Sequence, residues 1–247
     1  KLSFVEAVSD LASKQGVELP GKVGAGVNFI ANNNSSSFKN NSVNNSVNNP
    51  GATKQPSFFQ AQFELLEQAC VYYQWLLRQQ DEKSLAAVKY LKARGISGKI
   101  AQKFRLGYSS VSWDGLLKRF ANKSLQVQSA NSKIYLNQGS LIKAGLVIKS
   151  DSNKVYDRFR GRLMFPIRDR RGRVVGFGAR TLDKEGMPKY LNSPETALFL
   201  KSKILYGLYE LMQSARHVGG KYERICVVEG YMDVIGLAQH DINYAVA

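Results

Sequence analysis

The chain is poor in the residues that build thiolate–metal sites and disulfide frameworks, with two cysteines and two histidines in 247 residues. Cys70 falls in a helical pattern and Cys226 in an apolar strand-like run, so buried free thiols in a reducing cytosol are expected. His217 and His240 have no partner at the close spacing that zinc sites use. No apolar run approaches the ~20 residues that span a bilayer. The opening KLSFVEAVSDLASKQG is amphipathic and lacks the apolar stretch of a secretion signal. Acidic residues are scarce as well: 19 Asp and Glu stand against 35 Lys and Arg, a net charge of +16. That imbalance points to a polyanionic partner, either nucleic acid or an anionic membrane. There is no initiator methionine, and the last residues, INYAVA, are an apolar run without cap or turn, so a fragment is expected.

What is present suffices for a folded protein. With 44% hydrophobic and 11% aromatic residues the chain can bury a sizeable core, which excludes wholesale disorder. Its length suits one large or two small domains at about 100–200 residues each. Phe4, Val5, Val8, Leu11 and Ala12 follow a helical period that ends at Gly16. The tract NNNSSSFKNNSVNNSVNNPG (32–51) has nothing to bury against its ordering entropy and reads as a flexible tether. Phe59, Phe63, Leu66, Cys70, Tyr73 and Leu77, at steps of three and four, then predict a long helix. Further helices are expected after Ser84 (N-cap, with Gly95 as stop), Ser97 and Ser112, and over 138–146 up to Gly145. To this point the pattern is mostly helical.

From residue 154 the period becomes two. In YDRFRGRLMFPI, Phe159, Gly161, Leu163, Phe165 and Ile167 fall on one face and Arg158, Arg160 and Arg162 on the other, as in a half-buried strand. Asp169-Arg170-Arg171-Gly172 signals a turn, and RVVGFGAR returns as the partner strand. Residues 154–180 carry nine basic side chains against Asp157 and Asp169. Arginines two apart on a strand stand about 6.5–7 Å apart, near the phosphate repeat of an extended single strand. The guanidinium fork also suits phosphate oxygens. The alternative is a solvated sheet face. Gly176, Gly178 and Arg180 share a face, which suggests either a groove floor for a sugar-phosphate or tight packing of another segment. Finally, RICVVEG, YMDVIGLAQH and INYAVA read as strand, helix and strand, a βαβ unit with parallel strands. Glu229 ends the first of these strands, where ligands of parallel sheets gather; Asp233 lies one helical turn on. A solvated or capping role is the alternative for Glu229.

VVEGYMDVIGLAQ followed by INYAVA resembles the start of the Toprim domain of bacterial replicative DNA primases. YDRFRGRLMFPIRDRRGRVVGFGAR, PKYLNSPET and ILYGLYE resemble the same family, in its order. The resemblance runs from about residue 58 to the end, more weakly through FVEAVSDLASKQGVELP, and VVEG alone would be shared with topoisomerases. It implies an α/β chain: an α+β basic subdomain with helices and an antiparallel hairpin (58–220), then the first βαβ of a doubly wound Toprim sheet (221–247). Before these it implies the helical tail of a zinc-binding region (1–20) and an Asn/Ser-rich linker (21–57).

The activity implied is synthesis of short RNA primers on a single-stranded DNA template from nucleoside triphosphates. Toprim carboxylates of that family hold Mg²⁺ or Mn²⁺, which activates the primer hydroxyl and stabilises departing pyrophosphate. By motif, Glu229 is the catalytic and metal-holding glutamate and Asp233 belongs to the same acidic cluster, the remaining ligands being expected beyond Ala247. Arg180, Lys189, Asn192 and Lys201 are carried over as nucleotide or primer contacts, and Arg94, Arg158, Arg160 and Arg162 as template contacts. Zn²⁺ is expected only in the full-length protein, and the replicative helicase would be met through a C-terminal module outside this chain. A cytoplasmic monomer at the replication fork, with no membrane contact, is the matching expectation. Asp241 stands where that family has glycine. Two other readings stay open: a non-catalytic single-strand binding module, and another Toprim enzyme such as a topoisomerase or nuclease.

Overall fold

The computed structural model describes residues 58–79, 81–121, 127–129, 132–134, 137–183, 185–217 and 224–247. The expected helix over 3–15 and the Asn/Ser tract lie outside these. Helix α1 (Phe58–Gln79) carries the stripe read from the sequence. Leu66, Cys70, Tyr73 and Leu77 are buried along it, while Phe59 is exposed. Burial pushes the Cys70 thiol up to about 12, so it is a packing residue and not a nucleophile. Both cysteines are free.

Helix α2 (Glu82–Ala93) is capped by Asp81 and not by Ser84. Ser84 lies three residues past the cap and donates its backbone N–H to Asp81 Oδ1 at 2.7 Å. A carboxylate at the helix N-terminus also answers the macrodipole, which a hydroxyl does not. Helix α3 (Gly98–Lys103) is capped by Ser97 as expected. Strand β1 (Gly107–Ser109) follows, then helix α4 (Gly115–Ala121). A two-stranded ribbon, β2 (Val127–Ser129) and β3 (Ser132–Ile134), comes next, then helix α5 (Gln138–Lys143). Strand β4 (Val147–Lys149) pairs with β5 (Val155–Asp157). These short strands interrupt the stretch that reads as helical. At three residues each they are too short to show a period.

The central sheet has the order β1-β6-β7-β8, formed with β6 (Arg162–Arg168), β7 (Val174–Thr181) and β8 (Tyr190–Asn192), all antiparallel. The expected hairpin is there, turning at residues 169–172. Its first strand, however, begins at Arg162 and not near residue 156. Gly161 takes a positive φ of 61° and donates its N–H to the Ser109 and Ser110 carbonyls at 3.0 and 2.9 Å. A left-handed residue cannot continue a strand, so the extended ribbon through Arg158, Arg160 and Arg162 does not form.

The strand is also buried on both faces, not on one. Met164, Phe177 and Ala179 pack with Leu65, Leu66 and Tyr73 of α1 and Leu116 of α4. Leu163, Phe165, Ile167 and Val175 pack on the other side with Leu91 of α2, Ile100 of α3 and the C-terminal unit. RLMFPI is apolar at nearly every position, the mark of a strand covered twice.

After β8 come a single 3₁₀ turn (Lys201–Lys203) and helix α6 (Leu208–His217). The C-terminal unit is β9 (Cys226–Val227), α7 (Tyr231–Gln239) and β10 (Ala245–Val246), with β9 and β10 parallel. This is the expected βαβ. Val234, Ile235 and Ala238 of α7 are buried against the central sheet's second core. Asp241 holds a positive φ of 61°, so the turn that favours glycine there is kept, by a residue type that tolerates it. Among the described residues no helix is long and apolar enough to cross a membrane.

Candidate nucleic-acid interface and acidic strand end

The three arginines expected to form one ribbon are dispersed. Arg162 is buried and donates from Nη1 to the Pro188 carbonyl at 2.7 Å. Arg158 donates from Nε and Nη2 to the Asn192 carbonyl, at 3.3 and 3.0 Å. Burial lowers the pKa of both. Each guanidinium satisfies a backbone carbonyl beside β8, so these two hold the sheet edge together. The physical cause is that the chain leaves strand conformation after Asp157 and turns at Gly161 before β6 begins, so no extended ribbon carries the three arginines.

Arg160 differs. It donates to the Asp157 carbonyl and lies over two rings, 4.2 Å from the Trp113 centroid and 5.2 Å from that of Tyr156. Trp113 is 64% exposed and meets Tyr156 edge to face at 5.4 Å. An exposed indole backed by a guanidinium is a stacking platform of the kind single-stranded nucleic acid uses. Trp113 was not singled out from sequence. Its only signal there is a large aromatic among small polar residues, SVSWDG.

A second aromatic–cation group sits around Tyr90 and Tyr190. Arg180 donates to the Tyr190 hydroxyl at 2.6 Å and lies 4.7 Å from the Tyr90 ring and 5.3 Å from the Tyr190 ring. Arg94, expected on template, shares the Tyr90 ring at 5.5 Å. Lys189 lies 5.8 Å from the Tyr190 ring. The fold thus gathers Arg94, Arg180 and Lys189, and Asn192 joins through the same strand β8. Lys201 is exposed on the 3₁₀ turn, where its backbone N–H donates to Glu195 Oε1 at 3.3 Å. Among the described residues no hydrogen bond or ring contact ties its side chain to the group.

The acidic end lies alongside. Glu229 is exposed two residues past β9, and Gly230 opens α7. Asp233 accepts from the Gly230 N–H at 3.1 Å while its own N–H donates to the Gly230 carbonyl at 3.0 Å. It therefore caps the helix with one oxygen, and that pins the turn bearing Glu229. Asp233 also lines a cavity of about 390 Å³ together with Arg94 and Gly236. The fold thus puts a basic residue and an acidic one on the walls of one cavity.

Tyr231, the first residue of α7, stacks on Tyr206 at 4.2 Å and meets Phe165 edge to face at 6.1 Å. A Cβ on Gly178 would strike its ring, and one on Gly176 would lie 3.2 Å from Phe199. The glycine face is filled by packing and is not an open groove floor. Glu229 and Asp233 offer hard carboxylate oxygens, the donor type Mg²⁺ takes with phosphates and water completing its shell. Among the described residues no group of three or more His, Cys, Asp or Glu is placed to hold a metal.

Comparison with known proteins agrees with this architecture. The family model for the DNA primase catalytic core, N-terminal domain, matches residues 72–212. The DNA primase of Salmonella typhimurium is 40% identical over 247 residues, all of this chain and 35% of its own length. That of Legionella pneumophila is 46% identical over 185 residues, 75% of this chain and 28% of its own. The chain thus spans about a third of the length of these relatives. A solved DnaG primase catalytic domain bound to ssDNA superposes with a TM-score of 0.65 at 45% identity, over 77% of this chain and 54% of its own. On these grounds, and on the Toprim-type βαβ that follows the basic sheet, the chain belongs to the bacterial DNA primase family, in the N-terminal part of the catalytic core.

Proposed function

We propose that this chain serves template-directed synthesis of RNA primers on single-stranded DNA, as a segment of a longer bacterial primase in the cytoplasm. The observation that carries this is the shared cavity of Arg94 and Asp233, beside the exposed Glu229 and next to the Arg94–Tyr90–Arg180 group. Arg180 and Lys189 bind nucleotide or primer phosphates, and Asn192, whose carbonyl is held by Arg158, shapes the strand beneath them. Lys201 acts on the same phosphates from the 3₁₀ turn. Arg94, Arg160 and Trp113 face the template, while Arg158 and Arg162 support the sheet edge from behind. Residues 58–220 form the basic subdomain and 221–247 the opening of the Toprim unit.

Glu229 and Asp233 contribute to a divalent site that needs further carboxylates from beyond Ala247. A bound Mg²⁺ or Mn²⁺ supplies charge stabilisation at the transferring phosphoryl group and lowers the pKa of an attacking hydroxyl. Zinc and the replicative helicase engage other parts of the full-length protein.

The test is primer synthesis on single-stranded DNA by the full-length protein with Mg²⁺ or Mn²⁺, parent against Glu229→Gln. Outer-shell partners of metal ligands already cost about 10–100-fold, so loss of the carboxylate itself is expected to exceed about a hundredfold. Undiminished synthesis removes the role of Glu229. The platform at Trp113 favours a second reading, a purely binding module. It would bind DNA with steep salt dependence and support no metal-dependent synthesis.

A further inference from the structure

We propose that the turn end of the β6–β7 hairpin is a separate anion site that takes the phosphate group of a nucleotide or of a nucleic-acid strand. A cavity of about 260 Å³ opens there, lined by Arg168, Asp169, Arg170, Arg171 and Lys203 with Leu205 beside them. It lies at the opposite end of β6 from Arg162, about 20 Å away at ~3.3 Å per residue, and does not depend on the role given above to Glu229.

The first argument is charge that the fold leaves unanswered. Two carboxylates stand at this end, and each is committed. Glu210 pairs with Arg168. Asp169 pairs with Arg173 at 2.7 Å and accepts the backbone N–H groups of Arg171 and Arg173 at 2.9 and 3.0 Å, which holds the turn. Arg170, Arg171 and Lys203 are exposed and, among the described residues, have no carboxylate partner. An ordinary solvated face balances both signs; here the one lining carboxylate, Asp169, is already paired with Arg173, which leaves these three cations unanswered.

The second argument is a buried donor without an acceptor. The Arg168 side chain is only 9% exposed. Its Nη2 donates to Glu210 and to the Lys103 carbonyl at 2.9 Å, and its guanidinium lies 4.5 Å from the Tyr209 ring centroid. Its Nε has no hydrogen-bond partner. A buried unmet donor is costly and uncommon in a native fold. Nε itself is enclosed, so an anion in the adjoining cavity would meet the charge of this guanidinium at the wall and not its Nε. The forked donors of Arg170 and Arg171 match a phosphate's oxygens. Leu205, nearly half exposed, offers an apolar edge for the attached sugar. The ligand class is therefore a phosphate ester of a nucleoside.

The experiment uses this chain, isotopically labelled, with inorganic phosphate as the probe at constant ionic strength. Saturable amide shifts are expected at residues 170–172 and 203–205, and they should vanish in the R170Q/R171Q/K203Q variant. These three side chains are exposed, so an unchanged unfolding midpoint verifies that the variant is folded. Absence of saturable shifts at those amides, or the same saturation in the variant, overturns the site.

The source of the phosphate is read by titrating the same two proteins with ATP lacking divalent cation and with a single-stranded oligonucleotide of about 12 residues. For three lost contacts the oligonucleotide should weaken about tenfold or more and its salt slope become shallower by about 2, which assigns the site to a strand. A tenfold loss confined to ATP assigns it to free nucleotide. Unchanged affinity for both overturns the proposal.

Discussion

Gly178 ties the basic sheet to the acidic end through a single missing side chain. Its α-carbon faces the Tyr231 ring, and Tyr231 in turn stacks on Tyr206 next to the turn carrying Glu229. Gly178→Ala must move either the central strand or that ring, and overpacking of this kind costs about 1–3 kcal/mol. The expected result is a lower unfolding midpoint by thermal denaturation. Gly236 gives the contrast: it lies inside α7 with nothing within 4 Å of an added Cβ. Gly236→Ala should stabilise by about 0.5–1 kcal/mol through helix propensity, read by the same measurement. The alternation of Gly176 and Gly178 shows from sequence that something approaches the strand closely. It does not show what, because Tyr231 and Phe199 come from distant segments. Motif singles out Glu229 and Arg180 but not Trp113 or Tyr90, whose contacts arise from which cation the fold sets against each ring.

Among the elements, α4 shows how a helix can be capped from far along the chain. Ser112 was the expected start, yet its hydroxyl accepts only the Asp114 N–H at 3.4 Å. The first free helical N–H groups, those of Leu116 and Leu117, donate to the Asp157 carboxylate at 2.7 and 2.9 Å. Local patterning reveals caps such as Ser97, which accepts from Ile100 three residues on; it has no access to a cap supplied by another strand. Asp157 is buried, and desolvation raises its pKa from 3.8 to about 6 despite the two N–H donors.

The sign follows from linkage. A carboxyl whose folded pKa lies above its unfolded one binds its proton more tightly when folded, so its contribution is complete below about pH 4 and is lost as pH rises through about 6. The amide of an Asp157→Asn variant carries no such proton. The stability advantage of the parent over this variant should therefore be larger near pH 4 than near pH 7, measured by denaturant titration at both pH values. A constant difference would show that Asp157 does not titrate in this range.

At the scale of the molecule, an antiparallel sheet is packed between two apolar clusters, and its excess positive charge is pushed to the rim. The hairpin was readable because its strands, seven and eight residues long, show a period, and the βαβ unit because two short apolar runs flank a helical pattern. The burial of β6 on both faces was masked by the alternating arginines just before it, which suggested a wet face. This has a consequence for binding, because the arginines of that run are not equivalent. Arg160 lies against exposed rings, whereas Arg162 is buried on the Pro188 carbonyl.

Binding of single-stranded DNA should weaken with salt at a slope of about −0.7 per phosphate neutralised. Arg160→Ala should lower affinity and make that slope shallower by about 0.7, and Trp113→Ala should cost about 1–3 kcal/mol through lost stacking while leaving the slope alone. Arg162→Ala should instead leave the slope unchanged and lower the unfolding midpoint, since it strands a buried carbonyl at a cost of about 1–3 kcal/mol. Fluorescence anisotropy across a salt series, with thermal unfolding of the same three proteins, separates these outcomes. An equal slope change for Arg160→Ala and Arg162→Ala would restore the continuous ribbon of phosphate contacts that the turn at Gly161 rules out.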